Sequence, residues 1–329
     1  MARKILAINF GGIGDEILFL PTLWSLKKEF PSAKITLALE SRAMGVKDLT
    51  DIIDDVIPVD IKSKNKYTEL FALISKAIFG NYDLVVASGG SPMMSVILAA
   101  TFIPRRIGYD TGALSRFLLT DAVSLNKDKY AASMYHDLVN PITSEKTELP
   151  IIDINIKEKI PNSVLIHPGV SRISKLKGIE KTIKGYEWAQ LIDLLQQAGK
   201  HVILAGGPDD VDYIKEIEEY TKIKSYENYY GKTKNLTELA ELISSAEKFV
   251  CSDSAPLHIA VALGVKTYVF FGPTDDNKLI PQNENVVPIK NDSKCPDKPC
   301  LWEKRKMSCM ELGCLKYDFR HVSNLIIKN

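Results

Sequence analysis

Along the whole chain, short apolar runs rich in β-branched residues alternate with longer amphipathic runs, and no other feature restricts the fold as strongly. This alternation is typical of a parallel β-sheet that is covered by helices. In the first half, the strands that it predicts are Lys4–Phe10, Lys34–Leu39, Asp55–Val59, Leu84–Ala87 and Arg106–Gly108. Between the first two strands, apolar residues at helical spacing predict a helix over Glu16–Phe30.

A polar stretch from Thr143 to Asn162 is interpreted as a connection between domains, and after it the alternation restarts. The predicted strands of the second half are Ser163–His167, His201–Ala205, Lys248–Cys251 and Thr267–Phe271. Its predicted helices are Tyr186–Gln197, Asp210–Thr221, Leu236–Ala246 and Pro256–Leu263. The sequence therefore predicts an α/β fold of two Rossmann-like domains that face each other across a cleft, an N-terminal domain over residues 1–155 and a C-terminal domain over residues 156–316.

Charge and hydropathy exclude several classes of protein. The formal net charge is +1, whereas a surface that binds nucleic acid carries an excess of Lys and Arg to neutralise phosphates. The apolar run from Ile5 to Phe10 is too short for the core of a signal peptide. The most apolar stretch, Met93 to Ile103, is about half as long as a bilayer span, and a buried helix is expected there. We expect a soluble cytoplasmic protein that binds no nucleic acid.

Ligands of such sheets bind beyond the carboxyl ends of the strands, so the loops directly after strands carry the most information. The first of them, Gly11–Asp15, leads into a helix, and its glycines let a ligand approach the backbone closely. One interpretation is a dinucleotide-binding loop in which Glu40, after the second strand, binds a ribose. Ile17 stands where such a loop has its third glycine, which weakens this interpretation. A dinucleotide-dependent oxidoreductase is kept as an alternative.

Two roles are open to Asp15, the last residue of this loop. A carboxylate at the start of a helix caps the free backbone N–H groups and interacts favourably with the helix dipole. A carboxylate at a strand–helix junction that faces a cleft is also well placed as a general base.

The second half contains four loops of the same kind. They are His167–Ser171, Ala205–Asp210, Ser252–His258 and Phe271–Asp275. In the third of them, serine side chains precede a helix whose first turn contains Pro256, a favoured position for proline. Asp210 and Asp212 have the Asp-x-Asp spacing of a metal site, but they stand at a helix start, where acidic residues are favoured, and are interpreted as helix-terminal.

Together these five loops resemble glycosyltransferase family 9, whose members include the heptosyltransferases of lipopolysaccharide core assembly. In the N-terminal part, the resemblance lies in a strand, the Gly-x-Gly-Asp segment Gly12–Asp15, a helix and then Pro21. In the C-terminal part, it lies in the Asp-Ser-x-Pro-x-His segment Asp253–His258, which continues through Ala262–Gly264 into the Phe-Gly-Pro-Thr-Asp segment Phe271–Asp275. The resemblance spans nearly the whole chain.

The resemblance implies the two-domain GT-B architecture and an inverting sugar transfer that requires no catalytic metal or other cofactor. Asp15 would be the general base in the acceptor-binding N-terminal domain, within the loop that contains Gly12 and Gly14. The C-terminal domain would bind the nucleotide-sugar donor. The residues that match its donor site are Gly169, Ser171, Gly206, Asp253, Ser254 and His258. The last segment, residues 317–329, would form a helix that packs back on the N-terminal domain.

The family also places a lysine on the donor phosphates, ahead of a helix that contains an aromatic residue followed by Ala. Aligned on Tyr186–Ala189, this lysine is Lys181. The sequence departs from the family at residues 182–184, where Thr-Ile-Lys replaces the usual aromatic residue and proline. Because Lys175, Lys177 and Lys184 stand nearby, the resemblance implies a phosphate-binding lysine in this loop without fixing its number beyond the alignment on Lys181.

For the substrates, the resemblance suggests heptose from ADP-heptose and a lipopolysaccharide-core or related surface glycan, so that the acceptor is a glycolipid or an oligosaccharide. A glycolipid acceptor would bring the protein into transient contact with the cytoplasmic face of the inner membrane. Arg105 and Arg106 are interpreted as acceptor-side residues, because planar guanidinium groups suit acidic sugars and lipid phosphates. A non-catalytic nucleotide-sugar-binding relative is a second alternative, although such a protein would have less reason to retain an acid at position 15.

Four cysteines near the C-terminal end form two pairs with four residues between the partners. They are Cys295, Cys300, Cys309 and Cys314. This spacing is close to that of structural zinc sites. Disulfides, which a cytoplasmic protein rarely contains, and free thiols are the other interpretations.

Overall fold

The structure is a computed structural model, and it describes residues 3–147, 149–176, 178–291, 293, 295–301, 309 and 313–328. The chain forms two compact units, Met1–Asp153 and Ile154–Asn329. The division between them falls inside the polar stretch that was interpreted as the connection between domains. Among the described residues, none of the helices combines the length and the apolar character that crossing a bilayer requires.

The described part of unit 1 contains a parallel sheet of six strands. They are β1 (Lys4–Ile8), β2 (Lys34–Leu39), β3 (Asp55–Pro58), β4 (Leu84–Ala87), β5 (Arg105–Asp110) and β6 (Asp121–Ser124). The helices are α1 (Ile13–Glu29), α2 (Lys66–Phe79), α3 (Pro92–Ala100), α4 (Ala113–Leu118) and α5 (Ala131–His136), with a 3₁₀ helix over Ser41–Leu49.

The strands of unit 1 lie in the order β3-β2-β1-β4-β5-β6. Residues Ile5 to Ile8 of β1 are completely buried, as expected for a central strand that helices cover on both faces. The strands β2 and β3 are added on one side of β1 and the strands β4 to β6 on its other side, so the order in which strands are added reverses between β1 and β4. Loops after two such strands point apart and leave a crevice at the carboxyl edge. In unit 1 these are the glycine loop before α1 and the segment Ser88–Ser91.

The described part of unit 2 repeats this arrangement with six further parallel strands. They are β7 (Ile160–His167), β8 (His201–Leu204), β9 (Glu227–Asn228), β10 (Ala246–Ser252), β11 (Lys266–Phe270) and β12 (Val286–Ile289). The helices are α6 (Arg172–Leu176), α7 (Gly185–Gln197), α8 (Val211–Tyr220), α9 (Leu236–Ser245), α10 (Ala255–Ala262), α11 (Asp276–Leu279) and α12 (Phe319–Lys328).

In unit 2 the strand order is β12-β11-β10-β7-β8-β9, so the reversal lies between β7 and β10. These two strands pair in parallel, with a register shift between Ala246 and Lys248 and with Cys251 opposite His167. Their carboxyl ends therefore bring the loop after His167 and the loop after Ser252 to one edge, which is where the Rossmann arrangement binds ligands.

The last helix, α12, contributes its apolar face to the core of unit 2, whereas the prediction for residues 317–329 was a helix packed on the N-terminal domain. Phe319, Val322 and Ile326 recur at helical spacing, are buried, and belong to the hydrophobic core of unit 2. The Lys248 ammonium also donates to the Ile326 carbonyl at 2.6 Å. This apolar stripe shares a hydrophobic cluster with residues of α7 and β10, so α12 completes the core of unit 2.

The predicted buried helix over Met93–Ile103 is only partly confirmed. Its helical part is α3, but Met93 is 57% exposed and only one side of the helix enters the core. An apolar run of this length cannot by itself distinguish a fully buried helix from one that covers a sheet on one side.

Candidate active site

The glycine loop of unit 1 folds tightly around the start of α1 and fixes Asp15. A Cβ atom at Gly11 would lie 2.1 Å from the Asp15 Cβ atom, so only glycine fits there. The Gly12 N–H donates to Asp15 Oδ2 at 2.8 Å, and the Asn9 side-chain amide donates to the Asp15 carbonyl at 3.2 Å. The capping role predicted for Asp15 is therefore present in the structure.

The second carboxylate oxygen of Asp15 has a different neighbour. Tyr135 of α5 donates its hydroxyl to Asp15 Oδ1 at 3.3 Å, while its ring packs edge-on against Phe19 with centroids 5.8 Å apart. Burial and the nearby Asp15 charge raise the pKa of Tyr135, which keeps the phenol protonated as a donor. Asp15 itself is only half-buried. Its carboxylate is thus oriented by two donors and still reachable, as a general base requires.

Glu16 lies directly behind Asp15 and is completely buried. Its Oε1 atom accepts the Gly11 N–H at 3.3 Å, whereas Oε2 has no hydrogen-bond partner among the described residues. Burial, and next the charge of Asp15, raise the pKa of Glu16 well above its usual value. The raised pKa favours the protonated carboxyl group, which supports the glycine loop without adding a second negative charge beside Asp15.

The raised pKa of Glu16 predicts that Glu16→Gln increases the stability of the protein by an amount that depends on pH. Because the folded protein holds a proton that the unfolded chain releases above its own pKa, the stability that Glu16 contributes at low pH is lost as the pH rises. We expect Glu16→Gln to raise the free energy of unfolding by about 1 kcal/mol at pH 8 and to have almost no effect at pH 4. Urea unfolding at both pH values measures this, with the exposed Glu145→Gln as the control. A change of equal size at both pH values would contradict the assignment.

Arg105 and Arg106 do not lie where an acceptor site was predicted. They begin β5, at the amino edge of the sheet, whereas the glycine loop follows the carboxyl end of β1. Arg105 Nε donates to Asp121 Oδ2 at 3.1 Å. The Arg106 guanidinium donates to the carbonyls of Leu118 and Ile103, at 3.0 and 2.7 Å. These bonds hold β5 against its neighbours, and they give the two arginines a structural role inside unit 1.

In unit 2, the loops after β10 and β11 meet around a buried ion pair. Lys181 Nζ lies 2.8 Å from Asp253 Oδ2, and both side chains are largely buried. The Thr274 hydroxyl donates to the same oxygen at 2.9 Å. Burial by itself would raise the pKa of Asp253, but the charge and hydrogen bond of Lys181 outweigh it, with help from His258 and Thr274, and hold this pKa below its usual range. The site therefore keeps a carboxylate and an ammonium group side by side.

Helix α10 begins beside this ion pair. Its first residues are Ala255 and Pro256, and the preceding Ser254 directs its hydroxyl to the Ser252 carbonyl at 3.2 Å. Among the described residues no side chain caps the start of α10. Pro256 has no N–H and the Leu257 N–H donates to the Ser254 carbonyl at 3.1 Å, so the Ala255 N–H and the positive end of the helix dipole are what this start offers to an anion. His258 is buried in the first turn, close enough to Asp253 to stabilise its charge. Together with Lys181, this helix start provides the positive charge that a diphosphate needs.

The structure distinguishes Lys181 from the other lysines of its loop. Lys175 donates to the Asp209 carbonyl at 2.5 Å and lies over the Tyr213 ring. Lys184 pairs with Glu180 at 3.6 Å, and Lys177 lies outside the described residues. Of the described lysines in this stretch, Lys181 is therefore the one that reaches the edge of β10.

Thr182 explains how Lys181 is held there, and sequence reasoning missed it. Its buried hydroxyl donates to the Pro168 carbonyl at 2.8 Å and accepts from Trp188 Nε1 at 3.2 Å. The Ser252 hydroxyl donates to it at 2.5 Å. One donor and two acceptor positions are all that a hydroxyl offers. Thr182 thus ties the loop after β7 and the end of β10 to the segment that carries Lys181.

The loops after β7 and β8 are joined by Asp210. A Cβ atom at Gly169 would lie 1.6 Å from Asp210 Oδ1, so glycine is required for this close approach. The Gly207 N–H donates to Asp210 Oδ2 at 2.9 Å, and Gly206 lies against the same side chain. Asp210 is buried while Asp212 is exposed and pairs with Lys175 at 3.8 Å. Asp210 is the N-cap residue of α8 and Asp212 lies in its first turn, which confirms their helix-terminal interpretation.

Ser171 lies at the outer end of the loop after β7, directly before α6. It is exposed, and its hydroxyl lies 3.0 Å from the Ser174 hydroxyl. The structure therefore brings together Lys181, Asp253, Ser254 and His258. Gly169 and Gly206 allow the close packing of the neighbouring loops. Ser171 lies further out, and its hydroxyl contacts Ser174.

The cysteine tail packs on the loop after β11. The Cys300 N–H donates to the Pro273 carbonyl at 3.0 Å, and Leu315 occupies the space beside Gly272. All four tail cysteines are free. In the part of the chain that the structure describes, no group of three or more His, Cys, Asp or Glu side chains is arranged to hold a metal ion. The structure thus gives no support to the zinc interpretation, and it contains no disulfide between these residues.

Comparison with known proteins decides to which family the chain with these two sheets belongs. The family model described as glycosyltransferase family 9 (heptosyltransferase) matches residues 71–310. The chain belongs to this family. The predicted enzyme class, a glycosyltransferase, is therefore confirmed. Asp15 precedes the matched residues, so its role depends on the geometry of unit 1.

Individual relatives agree with the family assignment. Lipopolysaccharide heptosyltransferase 3 of Escherichia coli (strain K12) is 25% identical over 298 residues, which are 83% of this chain and 84% of that protein. The structure of E. coli ADP-heptose lps heptosyltransferase II matches with a TM-score of 0.71 at 21% identity, over 88% of this chain and 90% of that one. A family 9 glycosyltransferase from Veillonella parvula DSM 2008 matches with a TM-score of 0.75 at 19% identity, over 99% and 95%. The predicted GT-B fold is confirmed by these structures.

Proposed function

We propose that this family 9 enzyme is an inverting, metal-independent heptosyltransferase that moves heptose from ADP-heptose to a lipopolysaccharide-core or related surface glycan. The observation that carries the proposal is the pair of Lys181 and Asp253 beside the uncapped start of α10. A departing nucleoside diphosphate needs positive charge and N–H donors at one place. The ammonium group and the helix start supply both, so the proposed reaction does not depend on a metal ion.

In the proposed reaction, Asp15 takes the proton from an acceptor hydroxyl as the oxygen of that hydroxyl attacks the anomeric carbon of the donor sugar. The new glycosidic bond forms on the face of the anomeric carbon opposite its bond to the diphosphate. That bond breaks, and the diphosphate leaves with the electron pair. The proton ends on the Asp15 carboxylate, and the negative charge ends on the diphosphate that unit 2 binds. Attack on one face and departure from the other inverts the anomeric configuration.

The identities of donor and acceptor are taken from relatives. The E. coli structure that matches this fold is described as an ADP-heptose lps heptosyltransferase, and the E. coli relative in sequence as a lipopolysaccharide heptosyltransferase. ADP-heptose and a lipopolysaccharide-core acceptor are therefore the first substrates to test. A cytoplasmic location and a transient contact with the inner membrane, which a glycolipid acceptor would require, stay predictions.

A panel of nucleotides tests the donor. A ligand that binds the native state raises the melting temperature by mass action. We expect ADP and ADP-sugars to raise it more than GDP-, UDP- and dTDP-sugars at equal concentration, and NAD to leave it unchanged. The stabilisation amounts to about 2.7 kcal/mol at a ligand concentration of 100 times Kd. Stabilisation by NAD alone would favour the oxidoreductase, and donor binding without sugar transfer to any lipopolysaccharide-core acceptor would favour the non-catalytic relative.

A further inference from the structure

A buried carboxylate at the end of β2 holds two cationic side chains at the edge that carries the glycine loop. Glu40 is only 4% exposed. Arg42 Nε donates to Glu40 Oε2 at 2.7 Å, and Lys62 Nζ lies 3.1 Å from Glu40 Oε1. One negative and two positive charges leave this group with a net charge of +1. A buried carboxylate without cationic partners costs much free energy. The ion pairs of Glu40 therefore stay formed, and Glu40 fixes the positions of Arg42 and Lys62.

Arg42 directs the free end of its guanidinium towards the glycine loop. The position that a Cβ atom on Gly12 would take lies 3.7 Å from both Nη1 and Nη2 of Arg42, and 3.7 Å from Asp15 Oδ2. Gly12 has no side chain to fill this space. The terminal nitrogens of the arginine and the carboxylate of the base therefore border the same small region on either side of Gly12.

The two terminal nitrogens of Arg42 have no hydrogen-bond acceptor among the described residues, since its one described hydrogen bond uses Nε. This distinguishes Arg42 from Arg105 and Arg106, whose guanidinium groups donate to Asp121 and to backbone carbonyls. A guanidinium that is anchored through Nε and open at both Nη atoms has the planar pair of donors that matches a carboxylate or a phosphate.

We propose that Arg42 binds an anionic group, a carboxylate or a phosphate, on the acceptor sugar and so holds that sugar beside Asp15. This inference rests on the proposed function, because it assigns the chemical class of the acceptor to the unit that carries the base. Glu40 is the positioning residue, and the absence of a side chain at Gly12 leaves room for the acceptor group.

The test measures binding directly, with three octyl glycosides kept below micelle formation: octyl glucoside, octyl glucuronide and octyl glucoside 6-phosphate. By calorimetry, the wild-type protein should bind the two anionic glycosides about tenfold more tightly than the neutral one, which is about 1.4 kcal/mol. Arg42→Gln should reduce this preference to about one, and Arg42→Lys, which keeps the charge but loses the planar pair of donors, should retain part of it. Arg116→Gln, which removes an exposed arginine of the same unit, should leave it unchanged.

Either of two results would overturn the inference: equal binding of all three glycosides by the wild-type protein, or an anionic preference that survives in Arg42→Gln. The melting temperature of each variant shows that the protein is folded before binding is measured. ADP binding by the same preparations separates this test from the test of the proposed function. A failure of the proposed function appears as absent ADP binding or as donor binding without sugar transfer, whereas a failure of this inference changes only the glycoside ratios.

Discussion

Asp15→Asn is expected to lower kcat for sugar transfer by about 10²–10⁴-fold, the range that a positioned general base contributes, while the Kd for the donor stays unchanged. An asparagine retains a side-chain oxygen that can accept the Gly12 N–H, so the capped start of α1 should survive the substitution. What it loses is the ability to take a proton from the acceptor. Single-turnover transfer and calorimetric titration of the donor measure the two quantities separately.

The matched control for this variant is Asp83→Asn. Asp83 also accepts two backbone N–H groups in unit 1, from Arg3 at 2.6 Å and Lys4 at 2.9 Å. It directly precedes β4 and lies beside the amino end of β1, at the edge of the sheet opposite the glycine loop. Its substitution should leave kcat unchanged. If Asp15→Asn transfers sugar as fast as the Asp83→Asn control, the base must be another group, and Asp15 has only its capping role.

Lys181→Ala is expected to weaken donor binding by about 10–100-fold, which corresponds to the loss of a hydrogen bond from a charged group. It should also destabilise the protein by about 3 kcal/mol, because Asp253 then remains buried without its cation. These two effects can be separated. The double variant Lys181→Ala/Asp253→Asn should recover most of the stability and should not recover the donor affinity, as measured by unfolding and by titration with ADP.

Lys184→Ala is the control from the same loop, since its ammonium group pairs with Glu180 on the surface. It should change neither the stability nor the Kd for ADP. An affinity for ADP that is unchanged in Lys181→Ala, or that falls equally in both single variants, would transfer the phosphate-binding role to another part of the loop.

Much of the fold could be predicted because the alternation of apolar runs is a local signal. The strands Lys34–Leu39 and Leu84–Ala87 have the predicted bounds, since each is an apolar segment between polar turns. The three strands without a prediction, β6, β9 and β12, are short, and all three lie at the outer edges of their sheets. An edge strand such as Glu227–Asn228 buries little apolar surface and therefore leaves no hydrophobic pattern in the sequence.

Apart from Lys181, which the family resemblance indicated, the residues of the site were predictable where a loop directly follows a strand. Asp15, Asp253 and His258 stand in such loops, and the structure brings the last two together. Tyr135 and Thr182 stand in no motif, because their contacts with Asp15 and Ser252 join segments that are far apart in the chain. Such contacts depend on the register of the sheet and on helix packing, which a single sequence does not reveal.

The assignments to Arg105 and Arg106 failed for a related reason. A strand over Arg106–Gly108 was predicted, and the structure extends it to Arg105–Asp110, so the arginines stand at its beginning rather than in a loop beyond its end. Arg42, by contrast, follows a strand that was predicted correctly. Its proximity to Gly12 arises because β1 and β2 are adjacent and parallel, which places their carboxyl ends together.

The hydrogen bonds of Thr182 also bear on how the proposed donor specificity of this enzyme could change. A single hydroxyl group links Pro168, Trp188 and Ser252, so the segments around the proposed donor site are not independent modules. Exchanging one of these loops for that of another transferase would leave a buried hydroxyl or indole N–H without its partner. Evolution and engineering towards new sugars are then confined to two routes: replacing the linked segments as one block, or altering the outer residues that this hydroxyl does not hold.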